Sequence, residues 1–475
     1  MNGEMEAMAT ATLTRERARP AARVSSAALF RALLAAIVLI EVASGTLYAF
    51  KTPAWQAPDE PAHFNYVRHI AETGTLPVLK SGDYNQAYLE KIKAARFPPD
   101  MPIDSIRYEM YQPPLYYLAA APVYIAAQAV GANPLLALRL LSVGLGALIL
   151  LLAYRVLLHA FSQNRFLALA AVGLMATVPM NVALWAAAGA DPLAELLLAV
   201  LLLVSMRRVQ GELSDKRFVL FGGLLYGLAL LTSTKIYPAF VLLLLAEIGQ
   251  PSTVRSFGLR FSSAGTLRRI IRVLAPLLLV ALAVSGWWFL RNMMVYGGTD
   301  ILGWARHDSV VVGQLTTGEA LRQDGWKHVL SGLFVTTFKS FWAQFGWMGV
   351  LVNDRIYVGL FLLTAAALFG LLLWVVRLVR SHAQDVRRVE WNWLLLSLWL
   401  VVMLLSYAWY NLRFIQPQGR YLFPALIPIA AFFVVGLYEL IDKRYAGVTF
   451  ALIYLGLVGL DLASLFLFII PQLAL

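Results

Sequence analysis

The chain has 475 residues and a net charge of +12; 60% of the residues are hydrophobic and only 14% are charged. A soluble protein would carry about 25% charged residues, so the composition excludes an ordinary soluble domain. The chain has no cysteine, which excludes disulfides, thiolate nucleophiles and cysteine-ligated metals. Its apolar residues form blocks close to the ~20 residues that cross a bilayer, and such blocks must be helical because lipid satisfies no backbone hydrogen bonds. The sequence therefore predicts an all-α polytopic membrane protein.

Eleven apolar segments are predicted to span the membrane. They are residues 27–50, 134–154, 166–187, 191–206, 218–235, 236–250, 273–290, 356–376, 392–410, 421–440 and 446–470. Basic residues mark cytoplasmic connections. They recur in alternate loops, near residues 155–165, 207–217, 255–272, 377–388 and 443–444. We therefore expect a multi-pass protein of the inner (plasma) membrane with a cytoplasmic N-terminus.

The arginine-rich start could also belong to a cleaved signal peptide. The first apolar run continues to about Phe50 without an obvious small-residue cleavage site, so we interpret it as a retained helix. The net positive charge is mostly a topology signal in short loops. It does not form the basic, aromatic face that nucleic acid requires, so no nucleic-acid partner is predicted.

These assignments divide the chain into four parts. They are a cytoplasmic tail, 1–26; a transmembrane module, 27–290, with an outer loop, 51–133; a second outer loop, 291–355, with interfacial helices; and a C-terminal transmembrane module, 356–475. Long loops are usually functional. We interpret 114–131 and 328–350 as helices that lie against the membrane. Counting 114–131 as a span would reverse the side of several basic loops.

The sharpest local motif is Pro58-Asp59-Glu60-Pro61, with His63 close behind it, just after the first predicted span. A helix that starts near Pro61 would favour an ionised Asp59 at its N-terminus, and such a carboxylate can act as a general base. Helix capping is the alternative role. Asp59, Glu60 and His63 are also a possible divalent-metal site, although one histidine and two acids are few ligands.

Asp191 opens another predicted span on the same side, with Glu195 one turn later. Acids in a membrane helix are candidates for function, although capping would also explain Asp191. Cations end several spans on that side: Lys235, Arg291, Arg413 and Arg420. Each alone could extend to lipid head groups, but together they could bind a phosphate. No Gly-rich phosphate loop or HExxH motif is present.

The motifs, in this order, resemble the GT-C superfamily, the polyprenyl-phosphate-sugar-dependent membrane glycosyltransferases that include protein O-mannosyltransferases and aminoarabinose transferases. The resemblance depends on Pro58-Asp59-Glu60, Gln112-Pro113-Pro114-Leu115-Tyr116-Tyr117, Arg139, Asp191, Lys235 and Arg291-Asn292. Together with the segment 418–424, it most resembles a bacterial branch of predicted membrane proteins. The lysine segment departs from the family pattern, since it reads Thr-Ser-Thr-Lys-Ile-Tyr-Pro.

The resemblance implies a GT-C-type fold and an inverting transfer of a sugar from a polyprenyl-phosphate donor to a cell-envelope glycan, lipid or protein at the extracytoplasmic face. Asp59 would be the base, and Glu60 and Asp191 would orient sugar hydroxyls or share that role. Lys235, Arg291 and Arg420 would stabilise the donor phosphate. Further substrate contacts would come from His63, Tyr111, Gln112, Asn292, Arg413 and Tyr421. Membrane lipids are expected partners, and a divalent metal is the one possible cofactor.

Two other functions stay open. A transporter or flippase of lipid-linked sugars would need ionisable groups near mid-membrane and often has pseudo-symmetric halves, but no convincing internal repeat is visible. An enzyme of the O-antigen ligase or polymerase type would use a pyrophosphate-linked oligosaccharide, so the donor chemistry distinguishes it.

Overall fold

The computed structural model describes residues 26–250, 264–382 and 390–474. Nearly all of the predicted N-terminal tail therefore lies outside the described residues, as do parts of the basic loops 255–272 and 377–388. The described chain is mostly helical. Its one sheet is a small hairpin, in which β1 (Gln344–Phe345) pairs antiparallel with β2 (Val350–Leu351).

The α-helices of the described chain, in order, are α1 Ser26–Lys51, α2 Glu60–Thr73, α3 Gln86–Ala94, α4 Leu115–Ala129, α5 Pro134–Ala160, α6 Arg165–Thr177, α7 Pro179–Trp185, α8 Asp191–Val209, α9 Asp215–Leu230, α10 Phe240–Gly249, α11 Ala264–Tyr296, α12 Trp304–Val310, α13 Thr317–Trp342, α14 Asp354–His382, α15 Trp391–Arg413, α16 Leu426–Leu440, α17 Ala446–Ala463 and α18 Ile470–Leu473. Short 3-10 helices occupy Tyr108–Tyr111, Thr234–Ala239 and Gly419–Ala425. A π-helical turn, Ser464–Ile469, joins α17 to α18.

Seven helical stretches in the described ranges are long and apolar enough to cross a bilayer. They are Ala27–Lys51, Pro134–Ala160, Leu267–Tyr296, Asp354–Arg380, Trp391–Arg413, Gly419–Leu440 and Ala446–Leu473. α6 and α7 meet at a 70° bend and would count as one more if they form a single broken span. The prediction of an all-α polytopic membrane protein is confirmed.

The predicted segmentation needs correction at several points. Residues 166–187 do not form one straight helix, because Pro179 cannot continue the hydrogen-bond ladder of α6. The predicted spans 191–206, 218–235 and 236–250 form α8, α9 and α10, which are too charged or too short to count as spans by length and composition. Their charges are satisfied by protein instead: buried Arg208 pairs with buried Glu247 at 2.6 Å.

The long connections also contain more helix than their hydropathy suggested. α11 continues to Tyr296, so the predicted boundary after residue 290 falls inside a helix. The apolar segment 114–131 forms α4, whose 15 residues are fewer than a span needs. The segment 328–350 forms the end of α13 and the hairpin, and α13 itself is interrupted at Gly325, where φ is 77° and ψ is 158°.

Residues 52–133 fold against one end of the bundle around an aromatic core. The rings of Tyr66 and Tyr117 stack with their centroids 3.6 Å apart. The indole Nε1 of Trp347 donates to the carbonyl of Trp55 at 2.9 Å, so the second long connection lies on the same side. We call this side of the bundle the loop face.

α14 and α16 pack closely because glycines face each other between them. A Cβ added at Gly370 would overlap the carbonyl of Gly436, and one added at Gly436 would overlap the carbonyl of Ala367. Small residues of this kind allow helices to pack in a bilayer, where the hydrophobic effect gives little driving force between them. An ion pair between Arg377 and Glu439 joins the same two helices.

We predict that Gly370→Ala destabilises the protein by about 1–3 kcal/mol, the usual cost of overfilling a packed contact. The matched control is Gly359→Ala in the same helix, where the added methyl group meets open space. Thermal unfolding in detergent should give a lower midpoint for Gly370→Ala only. Equal midpoints for the two variants would show that the helices do not pack at these glycines.

Candidate functional site

A buried ion pair fixes the start of the loop face. Arg139 of α5 donates to both carboxylate oxygens of Glu60, at 2.8 and 2.7 Å, and also to the carbonyl of Thr52. Glu60 further accepts the backbone N–H of Ala188 at 3.2 Å. The Glu60 side chain has no exposed surface and that of Arg139 is 5% exposed. The carboxylate of Glu60 is thus fully bonded to protein groups, which argues against its predicted roles of orienting sugar hydroxyls or sharing the base role.

Asp59 lies next to this pair in a left-handed backbone conformation, with φ 68° and ψ −8°. Aspartate tolerates this region better than most residues do. Its side chain makes no capping hydrogen bond to α2. Instead, Asp59 accepts hydrogen bonds from the Tyr108 hydroxyl and from Arg420 Nη2, both at 2.7 Å. The capping interpretation of this side chain is therefore wrong.

A second ion pair lies nearby. Lys235 Nζ donates to the two oxygens of Asp191 at 2.7 and 2.9 Å. The ring of Tyr421 lies 5.6 Å from Lys235 Nζ and 5.1 Å from Arg420 Cζ. This ring therefore connects the two ion pairs. We call Asp59, Arg420, Asp191, Lys235 and Tyr421 the paired-ion site.

Short 3-10 helices, rather than α-helices, contribute several side chains of this site. Tyr108, Lys235 and Arg420 each come from one of the three 3-10 helices named above. Pro238 and Pro424 lie inside the second and third of these, where the missing N–H and fixed φ disfavour continuous α-helix. The side chains of these short segments project at bundle ends rather than along an α-helical stripe.

Gly419 determines where Arg420 lies. Its N–H donates to Ser340 Oγ of α13 at 2.7 Å. A Cβ at this position would overlap the backbone of Thr337 and Phe341. Only glycine therefore permits this close approach, which brings the buried Arg420 side chain to Asp59.

His63 lies among the charges of the paired-ion site. Its Nδ1 is 2.8 Å from the Tyr117 hydroxyl, and the two rings stack. Burial lowers the pKa of His63 to about 4, although the charges of Asp59 and Asp191 oppose that effect. At neutral pH this imidazole is uncharged, so it can form hydrogen bonds without adding to the positive charge.

The site also contains a carboxyl group that the sequence analysis did not identify, that of Glu109. Burial and the charge of Asp59 raise the pKa of Glu109 to about 7. Burial also acts to raise the pKa of Asp59, but the Arg420 guanidinium opposes it and lowers that pKa to about 2. The available sequence signal was an acid three residues before the Gln112-Pro113-Pro114 motif.

Several predicted substrate contacts lie outside the two ion pairs. Arg291 Nη1 donates to Asn292 at 3.0 Å, Nη2 donates to the carbonyl of Pro77, and its guanidinium lies 4.8 Å from the ring of Trp288. Buried Asn292 donates to the carbonyl of Ile301 at 3.1 Å. These groups hold the loop face on α11, and the structure pairs neither with Asp59 nor with Asp191.

The remaining predicted contacts surround a histidine of α12. Arg413 pairs with Asp308 at 2.5 Å. The neighbouring His307 ring lies 4.6 Å from the ring of Tyr111, whose hydroxyl accepts a hydrogen bond from Gln112 Nε2 at 3.2 Å. Tyr111 shares its 3-10 turn with Tyr108 and Glu109, so it lies beside the paired-ion site, whereas Arg413 ties α15 to α12.

The possible metal site at Asp59, Glu60 and His63 is not formed. In the parts of the chain that the structure describes, no group of three His, Cys, Asp or Glu side chains could hold a metal ion. The reason is that Glu60 turns to Arg139 while Asp59 turns to Arg420. We therefore propose no metal at this position.

Among solved structures, the chain is similar to ArnT from Cupriavidus metallidurans bound to undecaprenyl phosphate. The identity is 13%, the match covers 95% of this chain and 74% of that chain, and the TM-score is 0.49. No protein-family model and no curated protein matches the chain. A likeness this distant carries neither fold nor activity over to the present protein.

We predict that Glu60→Ala lowers the free energy of unfolding by about 3–5 kcal/mol, because it leaves the buried Arg139 without its partner. The control is Asp104→Ala, which breaks a solvent-exposed pair with Arg68 and should change stability far less. Denaturant titration in detergent compares the variants. Similar losses for both would contradict an anchoring role for the Glu60–Arg139 pair.

We also predict that Gly419→Ala disrupts the Asp59–Arg420 pair, because the added methyl group must push the segment away from α13. The midpoint of thermal unfolding should then fall while the helical content is retained. Circular dichroism in detergent measures both effects. Gly447→Ala, where the added methyl group has open space, is the control.

Proposed function

We propose that this protein is an inverting glycosyltransferase that uses a polyprenyl-phosphate-linked sugar donor. The observation that supports this most is the paired-ion site, in which two carboxylates and two cations meet around Tyr421. Transfer of a sugar from a phosphate requires a base for the acceptor hydroxyl and positive charge for the departing phosphate. The motifs that resemble those of GT-C enzymes contain Asp59, Asp191 and Lys235, and this resemblance agrees with the proposed chemistry.

Lys235 and Arg420 would bind the donor phosphate. In the structure each cation is paired with one carboxylate, Lys235 with Asp191 and Arg420 with Asp59. A bound phosphate would compete with these carboxylates for the N–H groups of the two cations, which the ion pairs already hold in place. Arginine can engage phosphate through its planar fork, and lysine acts as a point charge. Both cations would stabilise the negative charge that develops as the sugar–phosphate bond breaks.

Asp59 would accept a hydrogen bond from the acceptor hydroxyl and act as its base. Because Arg420 lowers the pKa of Asp59, a phosphate that shares the guanidinium would raise that pKa and make Asp59 more basic. The acceptor oxygen attacks the anomeric carbon from the face opposite the phosphate. The bond to the phosphate oxygen breaks with its electron pair, and the configuration inverts. Asp191 would orient a sugar hydroxyl, and neutral His63 would hold the acceptor.

The active site would face the extracytoplasmic side. α5 is long and apolar enough to cross a bilayer, and its Arg139 end lies at the loop face, where it bonds Glu60. Arg155 and Arg165 lie near and beyond the other end of α5, and basic loops remain cytoplasmic. The loop face would then reach the outer leaflet, where a polyprenyl donor can enter from the membrane and a cell-envelope glycan, lipid or protein can supply the hydroxyl.

A transporter of lipid-linked sugars is the second candidate, because Glu41 of α1 and Asp461 of α17 are buried in spans and intramembrane acids often mark transport paths. A transporter does not, however, require the charge arrangement at the loop face.

Transfer of radiolabelled sugar by purified protein distinguishes the candidates. A polyprenyl monophosphate sugar should be used, and activity only with a pyrophosphate-linked oligosaccharide would instead favour a ligase-type enzyme.

We predict that Asp59→Asn folds normally but lowers turnover by about 10²–10⁴-fold, the range expected when a general base is lost. The amide keeps the size of the side chain but cannot take a proton. The control is Asp104→Asn, an exposed acid of the same loop face, which should keep wild-type turnover. Near-normal transfer by Asp59→Asn would remove this carboxylate from the mechanism.

A further inference from the structure

We propose that Glu109 receives and holds the proton that the acceptor hydroxyl releases, so that Asp59 and Glu109 act together as a two-carboxyl base. This inference deepens the proposed function and rests on it. It concerns a residue that neither the motifs nor the resemblance singled out.

The geometry sets Glu109 apart from the other site carboxylates. Asp59 and Asp191 are each held in an ion pair. Glu109 Oε2 is buried and, among the described residues, has no hydrogen-bond partner. A buried oxygen without a partner costs free energy and calls for an explanation. In a site built for acid–base chemistry, that explanation is an oxygen kept free to take a proton.

The position of Glu109 connects it to the base. Tyr108, the preceding residue of the same 3-10 turn, donates its hydroxyl to Asp59 at 2.7 Å. The turn also contains Tyr111 and is followed directly by Gln112. Because Asp59 is held through this turn, an acceptor hydroxyl at Asp59 would lie near the Glu109 carboxyl as well.

The charges around Glu109 explain its proton affinity. Eight side chains of the described residues interact electrostatically or by hydrogen bonding with the Glu109 carboxyl group. They are Asp59, Asp191, Lys235, Gln112, Tyr108, Tyr111, Tyr117 and Tyr410. Burial and the charge of Asp59 raise the pKa of Glu109 to about 7, against the opposing effects of Gln112 and Lys235. The pKa of Asp59 is about 2. When the environments of two neighbouring carboxyl groups give them different pKa values, the two groups commonly take different roles in proton transfer.

The proton balance follows from this difference. The acceptor oxygen forms its bond to the anomeric carbon, the phosphate leaves with the electron pair of the broken bond, and the hydroxyl proton goes to Asp59. When the phosphate departs and Arg420 pairs with Asp59 again, the pKa of Asp59 falls. Asp59 then gives up that proton, and ionised Glu109 accepts it. Glu109 as a whole is partly exposed although its Oε2 is buried, so the carboxyl group can release the proton to water before the next turnover.

The first test is the pH dependence of sugar transfer. Glu109 must be ionised to accept a proton, so wild-type kcat should fall as the pH is lowered through about 7, approaching tenfold per unit. In Glu109→Gln this decline should disappear, and kcat at pH 8 should drop by about 10²-fold or more, with KM for the donor little changed. Glu90→Gln, an exposed glutamate of the same loop face, should keep both the rate and the decline.

The second test does not need turnover. Infrared difference titration of the purified protein should show a protonated carboxyl band that disappears with a midpoint near pH 7. Other buried acids, such as Glu41 and Asp461, can contribute to this region in every variant, so the measured quantity is the difference from wild type. Glu109→Gln should lose the intensity of one carboxyl group, and Glu90→Gln should lose none. If Glu109→Gln keeps the decline below pH 7 or the full intensity of the wild-type band, the proposal for Glu109 is overturned while the transferase function stands. A wild-type protein that transfers sugar from no polyprenyl-linked donor overturns the proposed function and this inference together.

Discussion

The buried ion pair between Glu60 and Arg139 is the interaction on which the loop face depends. It joins the start of α2 to α5 and leaves neither charge exposed to water. A buried ion pair contributes little net stability compared with apolar packing, but removing one partner leaves an uncompensated buried charge and strongly destabilises the fold. The pair therefore favours the one arrangement of α2 and α5 in which both charges are satisfied. That arrangement holds the adjacent Asp59 in a left-handed conformation. Its carboxylate consequently points to Arg420 rather than to the N-terminus of α2.

Irregular backbone is the second structural condition of the site. Within a bilayer, backbone groups need internal partners, so non-helical segments are tolerated only where protein or a polar cavity satisfies them. The 3-10 helices that contribute Tyr108, Lys235 and Arg420 lie at the loop face, where side chains such as Ser233 and Ser340 bond their N–H groups. The same interruptions that shorten the predicted spans therefore supply the charged groups of the site.

The protein shifts the pKa values of the titratable groups of the site in different directions. Asp59 stays ionised because a guanidinium faces it, whereas the pKa of Glu109 is raised because it is buried beside that negative charge. His63 stays neutral because it loses hydration. Burial and neighbouring charge thus set the protonation of these groups, which the proposed transfer reaction would use for charge stabilisation, hydrogen bonding and proton uptake.

The sequence by itself determined the all-α membrane class, because hydrophobic blocks are local and lipid leaves a polypeptide few alternatives to helix. It also singled out Asp59, Asp191, Lys235 and Arg420, which are rare charges at the ends of apolar blocks. Only the tertiary structure decided their partners, since Arg420 is 361 residues from Asp59. It likewise turned Glu60 inward and left an oxygen of Glu109 without a hydrogen-bond partner among the described residues. The physical reason is that a carboxylate's role depends on its burial and its opposing charge, and both are set by contacts between distant segments.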